Sequence, residues 1–279
     1  MKAGFVLPGG EPAELVDQAV AAEAAGWDAV FAWEGAYHPD AWCILAAMAQ
    51  ATSTIGLGTM LTPLPWRRPW EVAAQAATVD RLSGGRVILT VGLGAAATGR
   101  AVVTDPSDRR TRAALLDEGL DVIEKLWSGT TEHAGEHYGL DMMSGPARTL
   151  RPVQSPRIPI WVVGAWNRPR SMTRAVRFDG VVPHLMDVGA EGFGRSYEQM
   201  VAWVRSHPHP DGTVPEIIWE AETPADDADA ATEKVTRWRD RGATWWLESR
   251  WGPDRVDIDA RIEAGPPCPA DDRRARPAG

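Results

Sequence analysis

Short, fully apolar runs alternate along the chain with longer segments of helical period. Residues 55–59 and 87–91 are two such runs, each ending in small or hydroxyl residues, and one helical segment lies between them. Pro69 sits at the first turn of that segment, where a missing N–H is harmless, and Ser83-Gly84-Gly85 supplies its stop. A connection of this length between two apolar strands returns the chain to a parallel neighbour, because a hairpin needs only a few residues. One strand–helix–strand unit follows.

The same rhythm predicts six further strands, over residues 5–7, 28–32, 158–163, 179–183, 215–219 and 243–247. Between them lie predicted helices. The first, 12–25, presents Leu15, Val16, Ala19 and Val20 on one face and stops at Gly26. Asp40 is the expected N-cap of a helix running to Ala51, and 109–127 carries Leu115, Leu116, Leu120, Ile123 and Leu126 at helical spacing. Helices over 169–176 and 190–205 follow, and another ends at Arg241 after the acidic stretch 222–229. Residues 128–156 break the rhythm and read as an insertion lying over the mouth of the fold as a lid. Eight strands alternating with helices, with no break in composition, predict one (β/α)₈ TIM barrel domain over 1–264 with an insertion between strands four and five. The Pro- and Arg-rich stretch 265–279 reads as a disordered tail. An open doubly wound sheet is the alternative, but Pro8-Gly9-Gly10 lacks the GxGxxG order that fold wants after its first strand.

Composition narrows the function. An apolar fraction of 44% over 279 residues supports a sizeable core, and no run approaches the roughly 18 apolar residues that span a bilayer. The N-terminus fits a first strand better than a secretory signal, so a cytoplasmic location is expected. A formal charge of −9 disfavours a nucleic-acid partner, which requires concentrated positive surface. Cys43 and Cys268 have no CxxC neighbour, and His133 and His137 have no third ligand at sensible spacing, so neither a disulfide framework nor a metal site is expected.

In a parallel barrel, ligands sit at the carboxyl ends of the strands. The loop after strand three carries Thr59, Met60, Thr62, Trp66, Arg67 and Arg68; strand four ends in Gly92-Leu93-Gly94; and Glu34 leaves strand two. These loops face one pocket.

The run LGTMLTPLPWRRPWEVAAQAATVDRLSGGRVILTVGLG, with LDEGLDVIEKLWSG at 116–129 and IPIWVVGA at 158–165, resembles the luciferase-like monooxygenase family. The resemblance implies a (β/α)₈ barrel that uses FMN or the deazaflavin F420 at its mouth. It implies a non-prolyl cis bond at Thr59–Met60 under the ring, and cofactor contacts from Gly92, Leu93 and Gly94. The rest of the phosphate site would come from Gly164, Ala165 and Arg170. It further implies NAD(P)H or a flavin reductase as electron source, a small organic substrate, and a homodimer. Two positions depart from the family pattern: Gly35 stands where a His often follows the acid, and Ala95 stands where sugar-phosphate-oxidising members carry a catalytic Glu.

Against this background Glu34 and His38 are the candidate proton-handling residues, with salt bridging and loop hydrogen bonding as their alternatives. One or two of Trp42, Trp66, Trp161, Trp219 and Trp245 would wall the ring, and the others would fill core. Arg67 and Arg68 either bind anions or brace their loop; His184 should face the mouth. FMN stands first as the smaller demand on the sequence. F420, with its longer anionic tail, would draw on Arg100, Arg148, Arg151, Arg168 and Arg170. The expected activity is that of a flavin-type oxidoreductase or monooxygenase. A flavin-binding protein without turnover is the rival, while a barrel aldolase lacks a strand lysine and a metal hydrolase lacks ligands.

Overall fold

The computed structural model describes residues 1–35, 38–94, 108–130, 132–141, 151–185, 190–224, 226–251 and 255–267. Its strands are β1 (Lys2–Leu7), β2 (Ala29–Ala32), β3 (Gly56–Thr59), the two-residue β4 (Thr62–Pro63), β5 (Val87–Gly92), β6 (Glu132–Ala134) and β7 (Gly139–Asp141). Then come β8 (Ile160–Ala165), β9 (Gly180–His184), β10 (Glu216–Ala221) and β11 (Trp245–Ser249). The helices are α1 (Pro12–Ala24), α2 (Ala41–Ala51), α3 (Pro69–Ser83), α4 (Arg109–Ser128), α5 (Pro169–Ala175), α6 (Ala190–Arg205), α7 (Ala228–Asp240) and α8 (Arg255–Glu263). Parallel pairings run β3-β2-β1-β11-β10-β9-β8-β5, and β5 pairs back to β3. That closure makes the eight-stranded (β/α)₈ barrel. It leaves no edge strand in the ring.

The barrel is plugged by aromatic rings. Phe31 and Trp161 stack with centroids 5.3 Å apart, and Trp245 meets Trp161 at 4.9 Å. Eight short strands enclose little space, so rings this large fit only where neighbouring strands carry no side chain. A Cβ on Gly4 or Gly58 would stand 2.8 or 2.7 Å from the Phe31 ring, and one on Gly180 would stand 2.4 Å from Trp161. Trp161 and Trp245 are therefore core residues beneath the site. Trp219 points the other way and stacks on Trp238 at 3.9 Å outside the barrel.

The face away from the pocket is held by buried polar clamps. Fully buried Asp80 accepts from the backbone N–H groups of Val153 and Gln154 at 2.7 and 3.1 Å. Arg86 donates to the carbonyls of Ala49 and Thr52 at the end of α2, at 3.0 and 2.9 Å, satisfying acceptors that a helix end leaves open.

The helix α8, the short β4 and the β6–β7 hairpin were not anticipated. The helix α8 has its buried residues Ile258 and Ile262 spaced among charged ones, a pattern too sparse to announce a helix. It packs on α1, where the Trp27 indole donates to the Ile262 carbonyl at 2.9 Å. The insertion contains the β6–β7 hairpin, which docks on the outside of α4. Glu118 accepts from the His137 and Tyr138 amides at 2.9 and 2.6 Å and lies 3.2 Å from His133 Nε2. The described part of the insertion thus braces the helical layer and does not line the cavity. Residues 142–150 and the stretch from 268 onward, Cys268 included, lie outside the described residues. Among the described residues no helix is long and apolar enough to cross a membrane, and no three His, Cys, Asp or Glu side chains come together as a metal site.

Candidate active site

A cavity of about 470 Å³ opens at the carboxyl ends of the barrel strands. Met60, Leu61 and Val163 give it an apolar floor; Arg109 and Arg112 stand on one wall, Trp33 and Trp251 on another. Glu34, Leu93, Gly94, Ala165, Ser171, His184 and Glu220 complete the polar and backbone surface.

Glu34 belongs to this wall and is also the centre of a brace. Its Oε1 lies 2.5 Å from Arg67 Nη1, and its Oε2 accepts from the Thr62 hydroxyl at 2.9 Å. Arg67 turns its other terminal nitrogen to Gln75 Oε1 at 2.8 Å, so the pair ties the end of β2 to the β3–α3 loop and to α3. Both side chains are largely buried, at 4% and 13% exposure, and a carboxylate so engaged is a charge-neutralised anchor. The alternative reading of Arg67 as an anion ligand is replaced by this bracing role. Arg68 lies over the Trp70 ring at 5.6 Å.

The floor departs from expectation by one residue. The non-prolyl cis bond joins Met60 to Leu61, not Thr59 to Met60. Thr59 is fully buried beneath, its hydroxyl 2.9 Å from that of Thr62 and 3.3 Å from the Thr90 carbonyl. Met60 and Leu61 are the residues that meet the cavity.

The glycines owe their size first to packing. Gly94 has φ 73°, a left-handed conformation that L side chains rarely adopt, and a Cβ there would stand 2.4 Å from the Trp66 ring. Cβ atoms on Gly92 and Gly164 would press on Leu61 and Val163, and on Met172 and Val181, respectively. Arg112 then fixes the loop, donating to the carbonyls of Leu93 and Gly94 at 3.3 and 2.8 Å while lying over Trp66 at 5.6 Å. Its Nε is buried with no hydrogen-bond partner among the described residues. The Ala165 N–H already donates to Ser171 Oγ at 3.0 Å, which leaves the Ser171 hydroxyl, not that amide, to meet a ligand.

Several predicted residues fall away from the cavity. Arg170 and Arg168 are exposed on the loop and first turn of α5 and do not line it, and Arg151 is engaged with Ser128 and Arg81. Arg100, Arg148 and Ala95 lie outside the described residues. His38 is exposed and sits behind Trp33, with ring centroids 4.3 Å apart. His184 does face the mouth. None of the five tryptophans proposed as ring walls lines the cavity; Trp33 and Trp251 do, edge to face at 5.6 Å.

Glu220 is the residue that sequence reasoning missed. It stands next to the end of β10 on the inner face, two positions after Ile218 of the barrel plug. Burial pushes its carboxyl above the ordinary glutamate range, against the lowering effect of hydrogen bonds with Ser249 and Trp251. The alternation along residues 216–221 carried the signal, but a glutamate beside an acidic stretch reads as surface.

A family model described as luciferase-like monooxygenase matches residues 2–266. The chain belongs to the luciferase-like monooxygenase family. An F420-dependent glucose-6-phosphate dehydrogenase of Nakamurella multipartita is 33% identical over 152 residues, covering 51% of this chain and 45% of that one. The oxygenase component of a flavin-dependent trigonelline monooxygenase of Acinetobacter baylyi is 28% identical over 156 residues, or 53% and 42% of the two chains. The chain spans about half the length, or less, of the curated relatives it matches. Among solved structures of this fold, an F420-dependent tetrahydromethanopterin reductase of Methanopyrus kandleri superposes with a TM-score of 0.75 at 17% identity, covering 95% of this chain and 98% of that one. The relatives that it matches are named as oxidoreductases, dehydrogenases and monooxygenases.

Proposed function

We propose that the cavity holds a flavin-type cofactor with its ring on the Met60–Leu61 floor and its anionic end toward Arg109 and Arg112. The observation that carries this reading is the make-up of one cavity: the apolar Met60, Leu61 and Val163 line it together with Arg109 and Arg112, and the Arg112 Nε is buried with no hydrogen-bond partner among the described residues. When bound, such a ring supplies hydride or oxygen chemistry, and the protein's part is to orient it, exclude water and manage protons. Glu34 and Arg67 hold the floor loop in place, Ser171 offers a hydroxyl, and the Trp33–Trp251 pair shapes the side from which a small organic substrate enters.

FMN is our first choice of cofactor. Of the arginines available for a longer acidic tail, those described lie away from the cavity, and two cations suit a single phosphate. F420 is the second reading, favoured by the 33% identity to an F420-dependent dehydrogenase. The likeness to an oxygenase component makes a separate flavin reductase the natural electron source for the FMN reading. Spectroscopic titration of the purified chain with each cofactor at low salt decides. FMN should bind in the micromolar range or tighter, roughly −8 kcal/mol. Binding of F420 without FMN would reverse the order, and binding of neither would remove the reading.

A further inference from the structure

We propose that Glu220 is the acid–base residue of this site, exchanging a proton with the substrate oxygen or nitrogen whose charge changes as hydride crosses between substrate and ring. The proposal rests on the oxidoreductase reading above and adds to it the group that handles the proton. The sequence nominates Glu34 and His38 for that work. Neither is placed for it: Glu34 is held by Arg67 and Thr62, and His38 stands behind Trp33, off the cavity.

Glu220 is placed for it. Side chains alternate along β10, so the residue two beyond the buried Ile218 emerges on the inner face at the level of the cavity. Its hydrogen-bond partners, Ser249 and Trp251, are both neutral. Among the described residues it makes no salt bridge, which separates it from the ion-paired carboxylates elsewhere in the barrel.

The charged neighbours are few. On the neighbouring strand, β9 pairs with β10 at Glu216–Gly180 and Ile217–Val181, and His184 at the end of β9 lines the same cavity as Glu220. On the other side, β11 turns Glu248 outward, where it meets Arg250, Arg261 and Thr223. Across the cavity stand the Glu34–Arg67 pair and, at the start of α4, Arg109 and Arg112. A carboxyl in this setting is held toward its neutral, proton-bearing form by burial. His184 stands exposed at the rim of the same cavity, which opens to solvent.

The step balances. In the reducing direction, hydride carries two electrons from the reduced ring to a substrate carbon doubly bonded to oxygen or nitrogen. The π pair moves to the heteroatom, which takes the proton from the Glu220 carboxyl. The ring is oxidised by two electrons, the substrate is reduced by two, and the carboxylate recovers its proton from water through the open mouth. Oxidation of an alcohol or amine runs the same transfers backwards. The substrate class is therefore a carbonyl or imine compound, or its alcohol or amine, with a flat apolar body able to lie against Trp33 and Trp251.

Three measurements on the full chain and on Glu220→Gln test this. Carbon-13-edited infrared difference spectra recorded across a pH series should show a carboxyl band that persists above the usual glutamate titration range, is absent from E220Q and shifts when FMN, or F420, is titrated in. Without cofactor, E220Q should gain thermal stability relative to wild type as pH rises above the usual glutamate value, because ionising a buried carboxyl destabilises the wild type alone. In stopped-flow reoxidation of the reduced, loaded protein with benzaldehyde as a carbonyl probe, E220Q should be slower by on the order of 10²-fold with cofactor affinity unchanged. If cofactor binds but the carboxyl band is missing or indifferent to it, or E220Q reoxidises at the wild-type rate, the proposal is overturned and the oxidoreductase reading stands. If neither cofactor binds, that reading falls first, whatever the band does.

Discussion

A buried carboxylate can serve as reagent or as anchor, and its partners decide which. Glu34 spends one oxygen on Arg67 and the other on Thr62, and Arg67 is itself held by Gln75. Glu34→Gln keeps the shape but leaves a largely buried guanidinium without its counter-charge. Breaking such a pair costs about 3 kcal/mol. E34Q should therefore lower the midpoint of urea or thermal unfolding, and adding Arg67→Met should recover much of the loss, since the unpaired charge goes with it. Equal stability of E34Q and wild type would return Glu34 to a purely chemical role. Gly94 teaches a related lesson at the backbone: φ of 73° and the nearby Trp66 ring demand glycine before any phosphate does.

At the scale of elements, the same loop-and-clamp logic fixes the insertion. Two amides of the β6–β7 hairpin converge on one carboxylate of α4. Burial raises the Glu118 carboxyl, but the hydrogen bonds from the His137 and Tyr138 amides and from His133 outweigh it, and the balance lies below the usual glutamate value. A carboxylate lowered on folding contributes stability that is present above its unfolded value and lost as pH falls through the folded one. Acidification below the ordinary glutamate range should release the hairpin, seen as faster amide hydrogen exchange over 132–141, while the barrel strands stay protected. Glu118→Ala should give that exchange at neutral pH. Protection of the hairpin that is blind to both changes would show that the Trp70–Tyr138 contact, at 6.1 Å between centroids, holds it alone.

For the whole molecule, the barrel plug links fold to site, because Phe31, Trp161 and Trp245 support the floor on which Met60 and Val163 rest. Gly180→Ala would drive a Cβ to 2.4 Å from Trp161 and 2.7 Å from Ile218, and overpacking of this kind costs about 1–3 kcal/mol. Gly139→Ala, where nothing lies within 4 Å, is the control. Calorimetry should show a lower melting temperature for the first and little change for the second; equal melting would mean that the plug yields freely. The contrast between these glycines marks what a sequence holds. Strand and helix periods are local properties, so the eight strands, seven of the eight helices, the Asp40 cap and the carboxyl-end loops, with Glu34 and Gly94 among them, were legible from residues a few positions apart. The mouth-facing His184 followed from its place at a strand end. Which side chains meet across the barrel is not local. Arg67 pairs with Glu34 from 33 positions away, and Trp33 and Trp251 come together from distant parts of the chain. Tryptophans of equal promise were sorted into plug, outer layer and cavity wall only by ring closure. The tertiary structure likewise set apart the two carboxylates of the site: one already neutralised by an arginine, the other, Glu220, half-buried beside neutral partners.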